Sequence, residues 1–192
     1  MQFEQARQFI LDKLRTELPP HLSYHSVEHI TDVFVACKEL AASERVTGDE
    51  LTMLLTAALY HDTGFLVQPK DHEEISCTIA REHLPRFDYS EEQISLICGM
   101  IMATKIPQQP HSLLEQILAD ADLDYLGRDD FFTIGNRLYE ELSVYGLLDN
   151  ERAWNELQVK FLEKHHYFTD TAKRLRQAKK DENLALVKQK LA

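Results

Sequence analysis

The sequence predicts an all-α fold, and two observations support this prediction. Only 6 of the 192 residues are Gly and only 6 are Pro, and they interrupt long stretches rich in Ala, Leu, Glu, Lys and Gln, which have high helix propensity. Apolar residues also recur at helical spacing along most of the chain. No shift in composition divides the sequence, so we expect a single domain over residues 1–192.

The first three helices are set by start and stop signals. The N-terminal apolar pattern stops at Pro19-Pro20. A second helix is expected over about residues 26–46 and a third over about residues 50–62. The third is apolar nearly all round, which predicts a central position in the fold. Gly64 is expected to end it, beside a His-Asp pair.

The remaining helices follow similar signals. Asp71 is expected to be the N-cap of a helix that ends before Pro85, and Ser90 with Gln93 fits a capping box for a helix through about Ala103. The later helices are expected from residue 111 with a bend at 120–127, and then over about 129–148, 150–168 and 170–191.

The charge of the chain limits its partners. A formal net charge of −11 argues against binding to nucleic acid, because such binding depends on Lys and Arg neutralising phosphates. A phosphorylated small molecule would have to be attracted locally. A bound divalent cation can provide that attraction even on an acidic protein.

The cysteines and the apolar runs indicate the compartment. Cys37, Cys77 and Cys98 are too few and too scattered for a disulfide framework, and their apolar helical context predicts buried, reduced thiols. The N-terminus has no apolar signal core, and the longest apolar run, residues 51–60, is too short to span a bilayer. We therefore expect a soluble, cytoplasmic protein with no membrane partner.

Two segments place His and Asp residues where they could act together. His25 and His29 are four residues apart, so on a helix they share one face. His61 and Asp62 are adjacent, and both can turn toward one centre if the helix ends there. Each motif alone is weak, because a lone His is more often a hydrogen-bonded or surface residue than a ligand.

A third segment, Asp120, Asp122 and Asp124, lies among apolar residues. Buried carboxylates are costly unless they are paired or bind a metal. The ordinary interpretation of such a run is a solvated helix end. The order of all three segments favours metal coordination.

The three segments resemble the HD-domain superfamily of metal-dependent phosphohydrolases, in which a His precedes a His-Asp doublet and a distant Asp. The resemblance covers about residues 24–127, and residues 129–192 would complete or cover this core. The matching segments are Tyr24-His25-Ser26-Val27-Glu28-His29, Ala58-Leu59-Tyr60-His61-Asp62-Thr63-Gly64 and Leu118-Ala119-Asp120-Ala121-Asp122-Leu123.

The resemblance implies that a divalent metal ion is bound by four residues: His29, His61, Asp62 and Asp122. Such mixed imidazole and carboxylate ligands suit Fe, Mn, Zn, Co or Ni better than Ca. Asp120 would orient a ligand or hold a water. For Asp124 we prefer the role of an ordinary helix-terminal acid.

His25 is similar to a catalytic residue of the cyclic-nucleotide phosphodiesterases. In that family a Tyr-His-Asn segment supplies a His thought to protonate the leaving oxygen, and here the segment is Tyr24-His25-Ser26. An imidazole can donate a proton at neutral pH. The departure at Ser26 leaves a structural role for His25 as the alternative.

A second metal would require further ligands between the doublet and Asp122. His72 resembles the first such ligand, but Thr104 and Lys105 stand where a further His is expected. His72 is therefore a candidate for a second metal or for substrate binding, and Thr104 and Lys105 are candidates for substrate contact. His83 and His111 are expected at the surface.

The resemblance implies hydrolysis of a phosphate ester or phosphodiester of a small molecule, and a nucleotide is the expected class. A cyclic-nucleotide phosphodiesterase is one version and a nucleotide monophosphatase is the nearest alternative. Thr63-Gly64 after the doublet argues against an alarmone hydrolase. The rivals are a ligand-sensing module without turnover and a di-iron oxygenase. The charged C-terminal helix could also form a homodimer contact.

Overall fold

The computed structural model describes residues 1–192, which form nine α-helices and no β-strand. Short 3-10 turns lie at Thr63–Leu66, Leu84–Phe87 and Asp124–Gly127. The all-α prediction is confirmed. The helices are α1 (Phe3–Glu17), α2 (Val27–Ser43), α3 (Gly48–Tyr60), α4 (His72–His83), α5 (Glu91–Ala103), α6 (Leu113–Asp122), α7 (Phe131–Val144), α8 (Glu151–Lys164) and α9 (Asp170–Gln189).

None of these helices combines the length and the apolar character that crossing a membrane requires.

Several helix ends follow from side chains that the sequence analysis identified. Ser26 caps α2, where its hydroxyl accepts a hydrogen bond from the backbone N–H of His29 at 3.4 Å. Ser90 and Gln93 form the predicted capping box of α5: Gln93 N–H donates to Ser90 Oγ at 3.2 Å, and Ser90 N–H donates to Gln93 Oε1 at 2.9 Å. These bonds satisfy backbone donors that the first turn leaves without helical partners.

Two sequence-based predictions about α4 fail in part or in whole. Asp71 occupies the predicted N-cap position, but its side chain makes no capping hydrogen bond and its backbone is left-handed (φ 55°) instead of extended. Its carboxylate lies 3.5 Å from Lys105 Nζ. His83, expected at the surface, is only 6% exposed, and its ring packs edge-on against Phe9 with centroids 4.9 Å apart. His111 is exposed, as predicted.

The residues group into two compact units, and the single-domain organisation expected from composition stays a prediction. The first unit, residues 1–19 and 25–122, contains α1 to α6. Within it α2 packs on α3 and α6, α3 also packs on α1 and α5, and α5 packs on α4 and α6. Every residue of α3 from Met53 to Tyr60 is buried, which confirms its predicted central position. All three cysteines lie in this unit as buried free thiols.

The second unit, residues 20–24 and 123–192, contains α7 to α9. In this unit α9 packs on the 124–127 turn and on α8. Gly127 permits the first of these contacts, since a Cβ at this position would overlap the backbone of Arg176. The buried apolar core of the second unit consists of Tyr24, Leu123, Tyr125, Leu126, Phe131, Leu162 and Val187.

Candidate metal centre

The ends of three helices in the first unit carry the four residues predicted as metal ligands. His29 lies in the first turn of α2, next to the capping Ser26. His61 directly follows α3, and Asp62 follows it, before the 3-10 turn at 63–66. Asp122 is the last residue of α6. Because the residues belong to packed helices, their backbone positions are fixed by the core of the unit.

The four side chains converge on one point. Nε2 of His29 lies 3.3 Å from Asp62 Oδ2 and 3.2 Å from Asp122 Oδ1. Nε2 of His61 lies 3.2 Å from Asp62 Oδ2 and 3.4 Å from Asp122 Oδ1. The two Nε2 atoms are 3.4 Å apart. We call these four residues the His/Asp cluster.

The backbone determines which nitrogen of His61 faces the cluster as an acceptor. His61 Nδ1 lies 2.8 Å from the carbonyl oxygen of Ala58. A carbonyl oxygen can only accept a hydrogen bond, so Nδ1 must carry the proton. In the neutral imidazole the lone pair is then on Nε2, directed at the cluster, and this is the arrangement of a metal-binding histidine with a backbone partner.

The cluster lies almost entirely out of solvent. The exposed fractions of the side chains are 7% for His29, 1% for His61, 5% for Asp62 and 15% for Asp122. Asp62 Oδ2 is buried and accepts no hydrogen bond, although two ring nitrogens lie near it. A buried carboxylate oxygen without a hydrogen bond is costly, and a cation between the four side chains would remove that cost.

The electrostatics of the cluster favour positive charge at its centre. Burial alone would lower the pKa of His29, but the carboxylates of Asp122 and Asp62 outweigh burial and raise it to about 9. Burial likewise opposes the charged form of Asp122, yet the imidazoles of His29 and His61 lower its pKa to about 2. The same opposing effects raise the pKa of His61 and lower that of Asp62.

These observations fit a divalent cation. The donor atoms of His29, His61 and Asp122 lie 3.2 Å to 3.4 Å from one another, a spacing that one ion with bonds of about 2.1 Å can span. The nitrogen and oxygen donors are those that Zn, Fe, Mn, Co and Ni accept. The cluster could therefore hold a metal, while the assignment of each residue as a ligand stays a prediction.

Two further imidazoles border the cluster. The ring of His25 is half-buried and its centroid lies 6.2 Å from that of His29. Nε2 of His72 lies 3.4 Å from Asp62 Oδ1, the oxygen that does not face His29 and His61. His72 Nδ1 donates to the carbonyl of Pro69 at 3.1 Å, which directs Nε2 toward Asp62. Both residues are thus near the cluster, and their roles stay predictions.

Gly64 brings His72 to this position. A Cβ at Gly64 would overlap the backbone carbonyl of His72, so only glycine lets α4 approach the turn this closely. The Gly64 N–H also donates to Ser76 Oγ at 2.8 Å, which fixes the turn to α4. The expectation that Gly64 ends α3 is wrong, because α3 ends at Tyr60 and Gly64 lies within the following 3-10 turn.

The other three candidates lie in different surroundings. Asp120 is 1% exposed and lies on α6, two residues before Asp122. The Thr104 hydroxyl donates to the carbonyl of Ile101 at 2.7 Å, within its own helix end. Lys105 forms ion pairs with Glu74 and Asp71, and its side chain is 39% exposed. The proposed functions of these residues stay predictions.

The sequence analysis missed two residues that border the cluster. Phe65 contacts the rings of His25 and His72, with centroid distances of 3.9 Å and 4.4 Å. Glu73 is 6% exposed, and its Oε1 lies 3.5 Å from His72 Nε2. Glu73 resembled an ordinary acidic residue in a first helical turn. An aromatic residue directly after His-Asp-Thr-Gly was the only available signal for Phe65.

Known proteins resemble this chain over the region that contains the cluster. The model of the HD-domain family matches residues 26–124, slightly more than half of the chain, and this range includes the entire cluster. No curated protein sequence matches the chain.

Three solved structures share the fold. A protein described as an HD superfamily hydrolase from an uncultured Thermotogales bacterium is 21% identical, with a TM-score of 0.65 over 96% of this chain and 90% of that chain. A protein from Lactobacillus plantarum is 18% identical, with a TM-score of 0.69 over 99% and 98% of the two chains. YpgQ of Bacillus subtilis, solved in complex with ADP, is 20% identical, with a TM-score of 0.65 over 96% and 94%.

At these identities the solved structures establish a shared architecture, and the family match over residues 26–124 establishes the family. The chain belongs to the HD-domain family, a superfamily of metal-dependent phosphohydrolases.

Proposed function

We propose that this protein hydrolyses a phosphate ester or phosphodiester of a small molecule, and that this molecule is a nucleotide. The observation that carries the proposal is the buried His/Asp cluster, in which two imidazole nitrogens and two carboxylates converge within 3.4 Å. Such a cluster is costly to bury without a cation, and the family uses metal ions for phosphoester hydrolysis.

In the proposed centre His29, His61, Asp62 and Asp122 bind one divalent ion. When bound, a divalent ion of this kind acidifies a water molecule for attack on phosphorus and withdraws charge from a phosphoryl oxygen. The residues of the protein would orient the ligands of the ion and shield the site from water. The Ala58 carbonyl holds the His61 ring in its acceptor tautomer, and the apolar helices around the cluster exclude bulk water, which strengthens electrostatic interactions.

His25 is the proposed proton donor to the leaving oxygen. Its ring lies beside the cluster, 6.2 Å from the ring of His29 and 6.1 Å from that of His72. A substrate phosphate bound at the cluster would therefore have this imidazole nearby. His72 is the proposed contact for a second phosphoryl oxygen or a second ion, because its Nε2 faces Asp62.

A nucleotide is the proposed substrate class for two reasons. The related fold of YpgQ was solved with ADP bound to that protein. This chain also carries a net charge of −11, so a negatively charged substrate has to be attracted by a local cation, which a phosphate group can bind directly.

The first experiment measures metal content and hydrolysis together. The parent, a His61→Ala/Asp62→Ala double variant and a His111→Ala/Asp49→Ala control are analysed for bound metals. Each is then assayed against nucleoside monophosphates, diphosphates and triphosphates and cyclic nucleotides. We expect about one transition-metal ion per parent and control chain, no ion in the double variant, and hydrolysis only where metal is bound.

The panel also separates the alternatives. Release of inorganic phosphate from monophosphates would identify a nucleotide monophosphatase, and opening of a cyclic nucleotide would identify a phosphodiesterase. A parent that cannot be loaded with metal would refute the hydrolase proposal. A metal-loaded parent that binds nucleotides without turnover would refute it in favour of a ligand-sensing module.

A further inference from the structure

The ring of Phe65 contacts two imidazoles at the edge of the His/Asp cluster: it is stacked on His25 and tilted against His72, and the two imidazole centroids are 6.1 Å apart. The rings of Phe65 and His25 are nearly parallel, with an interplanar angle of 18° and centroids 3.9 Å apart. The ring of His72 contacts Phe65 with centroids 4.4 Å apart and an angle of 39°. Phe65 is only 5% exposed. A single buried side chain thus contacts both imidazoles that border the cluster.

The backbone connects this stack to the cluster. Phe65 lies in the 3-10 turn that follows Asp62, and its N–H donates to the carbonyl of Asp62 at 3.1 Å. The position of the phenyl ring is therefore fixed relative to Asp62. The two imidazoles come from other segments, since His25 precedes α2 and His72 begins α4. Phe65 is the contact that relates both of them to the turn.

The shape of phenylalanine suits this task. A phenyl ring is flat, and aromatic pairs favour offset-stacked or tilted arrangements at centroid distances of about 4.5–7 Å. Both observed distances lie below the short end of that range, so the rings are in close contact. Leucine could fill much of the same volume but has no flat face, so it would remove the stacking contact with His25 and weaken the packing against His72.

We propose that Phe65 is a positioning residue that holds the rings of His25 and His72 toward the phosphate of a substrate bound at the cluster. This inference rests on the proposed hydrolase function. Phe65 has no polar atom and takes no part in proton transfer. Its effect is to reduce the number of orientations that the two imidazoles can adopt before the substrate binds.

The test compares Phe65→Leu, which removes the stacking faces, with Phe65→Tyr, which retains them. Phe131→Leu is the matched control, because Phe131 is 1% exposed and belongs to the apolar core of the second unit. We expect Phe65→Leu to retain its metal and to lose about tenfold in kcat, part of the roughly 10²–10⁴ that a positioned acid contributes. Phe65→Tyr should restore kcat to within about twofold.

Proton magnetic resonance of the zinc-loaded protein provides a measurement that does not depend on turnover. Single His25→Gln and His72→Gln variants assign the imidazole signals. Protons stacked over a phenyl face are shielded, so the His25 signals should move downfield in Phe65→Leu, should stay in place in Phe131→Leu, and should nearly return in Phe65→Tyr. The spectra keep this test separate from the proposed function, because a protein without hydrolase activity would still show the shift.

Three results would overturn the proposal. The first is a set of His25 and His72 signals that do not move in Phe65→Leu. The second is a kcat for Phe65→Leu within about twofold of the parent or no lower than that of Phe131→Leu. The third is loss of metal from Phe65→Leu, which would mean that Phe65 supports the cluster itself instead of the bordering imidazoles.

Discussion

The protein buries carboxylates in two regions, and it neutralises them in different ways. In the second unit Asp124 is 4% exposed and meets two guanidinium groups, with Arg176 Nε at 2.7 Å and Arg128 Nη1 at 3.5 Å. In the first unit Asp62 and Asp122 meet only imidazole nitrogens in the cluster. Arginine is always charged at physiological pH, whereas histidine is charged only when protonated.

The difference indicates which buried acid is structural and which is available for a cation. Asp124 has permanent positive partners within the protein, so its charge is balanced without a ligand. Asp122 is balanced only when a proton or a metal ion enters the cluster. The two residues are two positions apart in one acidic run, and the type of base that faces each one separates their roles.

The largest expected effect distinguishes these two acids directly. Asp122→Asn should abolish stoichiometric metal binding and lower the rate of hydrolysis at least about 100-fold. Mutation of a residue that only supports a metal ligand already lowers metal affinity or activity by roughly 10–100-fold. Asp124→Asn should retain the metal. Elemental analysis measures the metal content of both variants, and the nucleotide panel measures their hydrolysis. Metal loss from Asp124→Asn, or full metal content in Asp122→Asn, would contradict the distinction.

Two glycines offer the next test, because each permits a close backbone approach in one of the regions. Gly64→Ala and Gly127→Ala would place a Cβ against the backbones of His72 and Arg176, respectively. Each change should reduce the free energy of unfolding by about 3 kcal/mol. We expect Gly64→Ala alone to lower kcat in the remaining folded protein, because it displaces His72. Urea denaturation measures the loss of stability, and activity per folded molecule measures the loss of kcat.

A smaller stability effect is expected at the arginine-paired acid. Asp124→Asn weakens charge-assisted hydrogen bonds to Arg176 and Arg128 and should cost about 2 kcal/mol. Thermal denaturation of the metal-free protein measures it. The Asp129→Asn variant is the control, since Asp129 pairs with Lys179 but is 95% exposed and should change stability by less than about 1 kcal/mol. Equal losses in the two variants would contradict a structural role for Asp124.

The last expected effect is a pH dependence of the metal-free protein. The pKa of His29 is raised from 6.5 to about 9, so its stabilising contribution is complete below pH 6.5 and is lost as the pH rises through 9. The pKa of Asp122 is lowered from 3.8 to about 2, so its contribution is present above pH 3.8 and is lost as the pH falls toward 2. The Tm should therefore decrease between pH 6 and pH 9.

The His29→Gln variant serves as the control for that prediction. Its Tm should vary less between pH 6 and pH 9 than that of the parent, while Asp124→Asn should keep the parent's dependence. Zinc loading should weaken the dependence as well, because the ion replaces the protons of the cluster. If the Tm of His29→Gln varied with pH as much as that of the parent, the pH dependence would come from other groups.

Local features of the fold could be predicted from sequence with good accuracy. Pro19-Pro20 and the Ser90-Gln93 capping box act within a few residues, and α1 ends and α5 begins where these residues predict. The four residues of the cluster were identified through resemblance to a family, and the structure brings them together. Helical periodicity alone could not join α2, α3 and α6 at one point.

The features that sequence could not predict depend on contacts between distant elements. The left-handed backbone of Asp71, the burial of His83 and the contacts of Phe65 with two imidazoles each require the positions of neighbouring helices. Asp124 was expected to be an ordinary helix-terminal acid, yet its partner Arg176 lies 52 residues away in sequence. Helix propensity and spacing contain no information about such pairs.

The two oxygens of Asp62 face different partners, and this has a thermodynamic consequence. Oδ2 lies beside the buried nitrogens of His29 and His61, whereas Oδ1 lies 3.4 Å from His72, whose side chain is 21% exposed. A carboxylate is planar, so a rotation that moves one oxygen also moves the other. Substrate contact at His72 and cation binding in the cluster would then be linked reciprocally, each changing the affinity for the other by the same factor.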